Sequence, residues 1–193
     1  MQAQILINPQ FIPVEEKLIS GEEALELGID APFELVRGKI VYMDHTGDEH
    51  GNQEAEIAWH LINFNRKRKI GWVLSGEVGV YTQFDPDTVR AVDVIFISRQ
   101  RLPVLSGKAI KVAPELVIEI ISPTDRWRDV RDKIEEYFAI GVDWVWIVEP
   151  ANKSILLFRT PTDMVKLTQT DTLQGEGILE GFTLPLAELF ADL

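Results

Sequence analysis

The sequence predicts a mixed α/β (α+β) fold: a central mixed β-sheet with helices packed on its faces. Three observations carry this. Short runs rich in Val and Ile either alternate or stay continuously apolar, as strands do. Two longer stretches repeat apolar residues at the helical period. One strand, helix, strand succession over residues 114–148 reads as a right-handed parallel crossover.

Ser20-Gly21-Glu22-Glu23 fits a capping box, so a short helix to about Leu27, ending at Gly28, is expected. Residues 33–36 and 39–43 flank Arg37-Gly38 and read as a tight hairpin. A long helix is predicted from near Glu49 to near Lys69. Ile57, Leu61 and Phe64 recur at i, i+4 and i+7, Ala58 and Ile62 widen the stripe, and Gly71 is a natural stop. Residues 77–83 alternate like a half-buried strand. Asp85-Pro86-Asp87-Thr88 is a turn and residues 91–97 form the next strand, antiparallel because the connection is short. A strand at 114–121 follows. Ser122-Pro123-Thr124-Asp125 is read as a turn and helix start, with Ser122 in a helix- or turn-capping role. That helix carries Val130, Ile134, Tyr137 and Phe138, ends at Gly141, and leads into a buried strand at 143–148. Residues 154–159 and 164–168 read as a further hairpin and 184–190 as a last short helix.

At 193 residues, 46% hydrophobic and 26% charged, the chain fits one domain over residues 1–193. It has no cysteine, which removes disulfides, cysteine-held zinc and thiol nucleophiles, and suits a reducing cytoplasm. No leader pattern and no apolar run near the roughly 18 residues of a membrane span is seen, so a cytoplasmic protein without a membrane partner is expected. The net charge is −12, yet nucleic-acid binding depends on the local patch. Two basic clusters stand out, residues 66–69 and Arg126, Arg128, Arg131 with Lys133. The tryptophans read as core or interface residues.

Two strand-like runs each carry one carboxylate, Asp93 and Glu119. A carboxylate there is costly unless paired, hydrogen-bonded or bound to a metal. On alternation, Asp93 shares a face with Ile95 and Ile97, and Glu119 with Val117 and Ile121, so adjacent strands can bring the two acids together. Lys133 sits at the edge of its helix's apolar stripe. It is placed to pair with Asp129 one turn back, or to reach a phosphate beside the acids. Mg²⁺ takes one or two carboxylates, a carbonyl and waters, and this set can supply them.

Val92-Asp93, Glu119-Ile120-Ile121 and Lys133 resemble the PD-(D/E)XK restriction-endonuclease-like superfamily. Within it the chain is similar to the Uma-type family, through residues 33–41, 46–51, 114–125 and 133–150. The likeness spans about residues 18–160 as a core, with 161–193 as a C-terminal extension. It implies a restriction-endonuclease-like sheet of four or five strands. It implies Asp93, Glu119 and the Ile120 backbone carbonyl as ligands of Mg²⁺ or Mn²⁺, with Asp93, Glu119 and Lys133 as the catalytic set. The superfamily lysine would stand at Ile121; in the Uma-type pattern it is displaced to Lys133. Val92 replaces the usual proline and removes no ligand. His50, by itself a structural or solvated histidine, is brought by the resemblance to line the site, and Glu54 one turn on could add an acidic ligand. The implied activity is metal-dependent cleavage of DNA, by a homodimer where both strands are cut. The rival expectation is an inactive nuclease fold used as a binding module; a hydrolase of a small phosphorylated substrate is the third.

Overall fold

The computed structural model describes residues 17–122 and 124–191. Residues 1–16, where no leader pattern was read, and Pro123 of the expected turn lie outside the described residues.

Helix α1 (Gly21–Glu26) opens behind the capping box: Ser20 Oγ accepts from the Glu23 N–H, and the Glu23 carboxylate accepts from the Ser20 N–H. Strands β1 (Phe33–Val36) and β2 (Lys39–Tyr42) form the expected hairpin. Arg37 and Gly38 both take positive φ, 50° and 75°, in the two-residue turn whose twist suits a hairpin. Helix α2 (Asp48–Arg68) buries Gln53, Ile57, Ala58 and Leu61. Ile62 is 40% exposed, so the buried stripe is narrower than its period suggested. Lys69, not Gly71, takes the left-handed cap, with φ 54°.

Gly71 instead opens β3 (Gly71–Gln83), which pairs antiparallel with β4 (Thr88–Ser98). The strand starts well before residue 77 because a bulge between Ser75 and Val78, with Gly76 and Glu77 at positive φ, breaks the alternation. A Cβ on Gly71 would lie 2.6 Å from the Ile97 carbonyl oxygen. Gly71→Ala is therefore expected to cost about 1–3 kcal/mol, read from the urea midpoint.

Strand β5 (Leu116–Ile120), helix α3 (Trp127–Ile140) and strand β6 (Trp144–Glu149) make the expected parallel crossover. The helix starts later than expected, with Arg126 as its N-cap. The Ser122 N–H donates to Asp125 Oδ2 while its carbonyl accepts the Asp125 N–H, so of the two capping roles Ser122 takes the one in the turn and not the one at the helix. Strands β7 (Ser154–Phe158) and β8 (Met164–Thr168) form the second hairpin. A small separate pair, β9 (Thr172–Gln174) and β10 (Thr183–Pro185), was not foreseen and precedes the short last helix α4 (Leu186–Leu189).

Among the described residues the main sheet has eight strands, in the order β2-β1-β4-β5-β6-β7-β8 with β3 on β4, so the four or five strands implied by the resemblance were too few. Helix α3 covers one face, over Ile95, Ile97, Val117 and Ile147. Helix α2 and C-terminal residues, Leu173, Phe182 and Phe190 among them, cover the other, over Phe96, Ile118 and Trp146. Trp146 is core, whereas Trp59 and Trp127 are exposed, so the tryptophans are not uniformly buried. Among the described residues no helix is long and apolar enough to cross a membrane.

One edge of β4 is taken by β3. The other edge is shared: β1 meets it at Val89, and β5 joins only from Val94. Residues 90–93 therefore face a gap between two strands. Side chains, not a ladder, must satisfy the backbone there.

Candidate active site

Asp93 stands at the β5 side of this gap. The register that sets Val94 opposite Ile118 places Asp93 opposite Glu119 one step further. Asp93 Oδ2 accepts the Ile120 N–H at 2.7 Å, and His50 Nε2 lies 3.2 Å from the same oxygen. Ile120, whose carbonyl the resemblance adds to the ligand set, is thus tied to this carboxylate. Glu54, one turn along α2 from His50, accepts the Gly76 N–H of the β3 bulge at 2.7 Å. One ligand atom each of His50, Glu54 and Asp93 lies within 4.8 Å of the others. The hydrogen bond to Asp93 raises the His50 pKa against the opposing effect of burial. Burial raises that of Glu54, and the nearby Asp93 and Glu77 add to it.

Glu119 is held from the α3 side. Its Oε1 accepts the Tyr137 hydroxyl, and Lys133 Nζ lies 3.5 Å from the same oxygen. Lys133 is closer to Glu34 of β1, at 2.8 Å. Its partners are these two acids and not Asp129. Glu34 Oε2 accepts from Arg90 at 2.8 Å and Oε1 from the Ala91 N–H at 3.3 Å, which fills the β1 side of the gap. Arg90 also donates to both Glu136 oxygens, at 2.8 and 2.6 Å.

The electrostatics follow from burial and proximity. Burial, with Asp93 and Glu34 adding like charge, pushes Glu119 up to about 7 although Lys133 and Tyr137 pull it down. Burial opposes charge on Lys133, but Glu119 and Glu34 outweigh it and raise its pKa, so it stays protonated. For Glu34, Lys133 and Arg90 likewise overcome burial and hold the carboxyl below its usual value.

Tyr137 and Glu34 were missed from the sequence. Tyr137→Phe leaves Glu119 Oε1 without its hydroxyl donor and is expected to cost about 1–3 kcal/mol, seen by chemical denaturation.

Among the described residues, Asp93 Oδ1 and Glu119 Oε2 accept no hydrogen bond, because the protein's donors all go to the other oxygen of each carboxylate. The His50 Nδ1 is buried and also without a partner among them. The ligand atoms that come within 4.8 Å of one another are those of His50, Glu54 and Asp93, with Glu119 outside that group on the neighbouring strand. Two carboxylates and an imidazole fit a hard divalent cation, which would relieve the repulsion between the acids.

A sequence model of the Uma2 family, "Putative restriction endonuclease", matches residues 22–187. The chain belongs to this family. In fold, this Uma2 chain is similar to the crystal structure of "a putative nuclease belonging to DUF820" from Anabaena variabilis ATCC 29413. The TM-score is 0.76 at 18% identity, over 90% of this chain and 98% of that one. At that identity the likeness speaks for the fold. No curated protein matches the chain.

Around the candidate site the surface is mixed. A cleft of about 390 Å³ beside His50 is lined by Gly47, Asp48, Ile121, Ser122, Glu149 and Asn152. Arg126, Arg128 and Arg131 are exposed at the start of α3, the helix that follows the Glu119 strand. The 66–69 cluster lies at the far end of α2 from His50, about 24 Å away at 1.5 Å per residue.

Proposed function

We propose that this Uma2 protein is a nuclease that hydrolyses DNA phosphodiester bonds with Mg²⁺ or Mn²⁺. The observation that carries it is the pairing of Asp93 and Glu119. Each has one oxygen tied to the protein and one open, and the Lys133 ammonium lies 3.5 Å from Glu119. Asp93, Glu119 and the Ile120 carbonyl would hold the cation, with His50 and Glu54 alongside. When bound, the cation supplies Lewis acidity to the phosphate and lowers the pKa of a water. The chain's own residues do the rest. Tyr137 and the Ile120 N–H fix the two carboxylates. Lys133 keeps its proton beside Glu34 and Glu119, so its part is to orient the phosphate and stabilise developing negative charge. Arg126 and Arg128, both exposed, would meet backbone phosphates. Cutting both strands with one site per chain calls for a homodimer.

The test is nicking of supercoiled DNA with Mg²⁺ or Mn²⁺ by wild type, Asp93→Ala and Lys133→Ala. Cleavage by wild type alone is the expected result; equal background in all three overturns the reading.

The net charge of −12 and the acids lining the cleft favour one other reading, a nuclease fold kept as a binding module. It requires that Mn²⁺ binding, followed by calorimetry, not depend on Asp93 or Glu119.

A further inference from the structure

We infer that Glu34 is a positioning residue for Lys133: it draws the ammonium away from Glu119 and so leaves that carboxylate available to a cation. This rests on the metal-site reading above.

Lys133 is shared unequally, 2.8 Å from Glu34 and 3.5 Å from Glu119. The nearer partner is 6% exposed and cannot swing aside. Glu34 precedes Leu35, the residue through which β1 meets β4 at Val89, so its carboxylate enters the gap. There one oxygen receives Arg90 and the other receives Lys133 and the Ala91 N–H. Arg90 is in turn gripped at two points by Glu136, which lies one helical turn beyond Lys133 on α3. Glu119, Lys133, Glu34, Arg90 and Glu136 form an open chain of alternating charge that runs from β5 through α3, β1 and β4 back to α3. Glu34 and Arg90 are each held by two members, and Lys133 is shared between Glu34 and Glu119.

Two carboxylates compete for this one cation. Neutralising Glu34 hands the ammonium to Glu119, because a buried lysine that keeps its charge must find the remaining acid. Lys133 paired fully with Glu119 would then be an internal competitor for any divalent ion. A chain of ion pairs that only staples α3 to the sheet makes a different prediction: damage from losing Glu34 would persist whether or not Lys133 is present.

The experiment uses the full chain as wild type, Glu34→Gln, Lys133→Met and the double variant, all checked for folding by thermal melting. Mn²⁺ binding is titrated by calorimetry, and Glu34→Gln is crystallised. Glu34→Gln is expected to weaken Mn²⁺ binding roughly 10–100-fold. The double variant should return to within about twofold of Lys133→Met. In the crystal, Lys133 Nζ should close on Glu119 to about 2.8 Å, an ion-pair hydrogen bond. Unchanged Mn²⁺ binding in Glu34→Gln overturns the inference, as does a loss that persists in the double variant. Should wild type bind no Mn²⁺, the metal reading falls. The crystal then decides the positioning role alone: a Lys133 that has not moved toward Glu119 overturns it.

Discussion

Replacing Asp93 by asparagine is expected to lower metal-supported DNA cleavage on the order of 10³-fold. A divalent cation contributes several kcal/mol of charge stabilisation in such reactions, and about 1.4 kcal/mol is a tenfold change in rate. Asparagine is the informative change. The Ile120 N–H, buried and 2.7 Å from Asp93 Oδ2, still finds an amide oxygen, whereas alanine leaves it unpaired at a cost of about 1–3 kcal/mol. Asp93 also raises the pKa of both Glu54 and Glu119, so removing its charge relieves repulsion in the cluster. Asp93→Asn should therefore melt at or slightly above the wild-type temperature while losing activity, the stability–activity opposition of a strained site. Steady-state cleavage rates and thermal melts on the same preparations check it. Cleavage within about twofold of wild type would show that Asp93 takes no part in holding the ion.

The elements with an uninterrupted period were legible in the sequence. The capping box, the Arg37-Gly38 hairpin, α2, α3 and the parallel β5–β6 pair all follow from spacing and turn chemistry. What failed was local irregularity. Gly76 and Glu77 bulge out of β3 and hide its first half, although Trp72, Val73 and Leu74 are apolar and lie in that half. Gly71 looked like a helix stop because glycine usually fills the left-handed cap that Lys69 takes here. At the site, the pairing of Asp93 with Glu119 could be read by counting faces. The partners of Lys133 could not, because they depend on β1 docking beside β4 across a sequence separation of 56, that of Glu34 and Arg90. Yet Glu34 carried the signal that singled out the other acids, a carboxylate inside an apolar run. Tyr137 carried none: in α3 its ring serves the stripe, and only the fold reveals that its hydroxyl meets Glu119.

Arg90→Met is expected to cost about 3–5 kcal/mol at neutral pH, the largest effect on stability foreseen for a change at the site. Arg90 is buried, and its guanidinium is shared by Glu34 and Glu136. Without it Glu34 keeps only Lys133 and the Ala91 N–H, and Glu136 keeps only the Thr82 hydroxyl. The methionine fills the space, so the loss measures charge left unpaired in a buried place and not a cavity. The cost should depend on pH in a fixed direction. Lys133 and Arg90 hold the Glu34 carboxyl below its usual value in the folded chain against the pull of burial. A depressed carboxyl stabilises the fold fully above its unfolded pKa, and that stabilisation is lost as pH falls through the folded value. Removing Arg90 lets burial prevail and the folded value rise. Wild type and variant should therefore differ most near neutrality and converge on acidification below the ordinary carboxylate range. Urea midpoints of the two proteins, compared at about pH 7 and about pH 3.5, give the test. A gap of equal size at both would mean that Arg90 stabilises by packing alone, and its ion pairs with Glu34 and Glu136 would lose their part in holding α3 against the sheet.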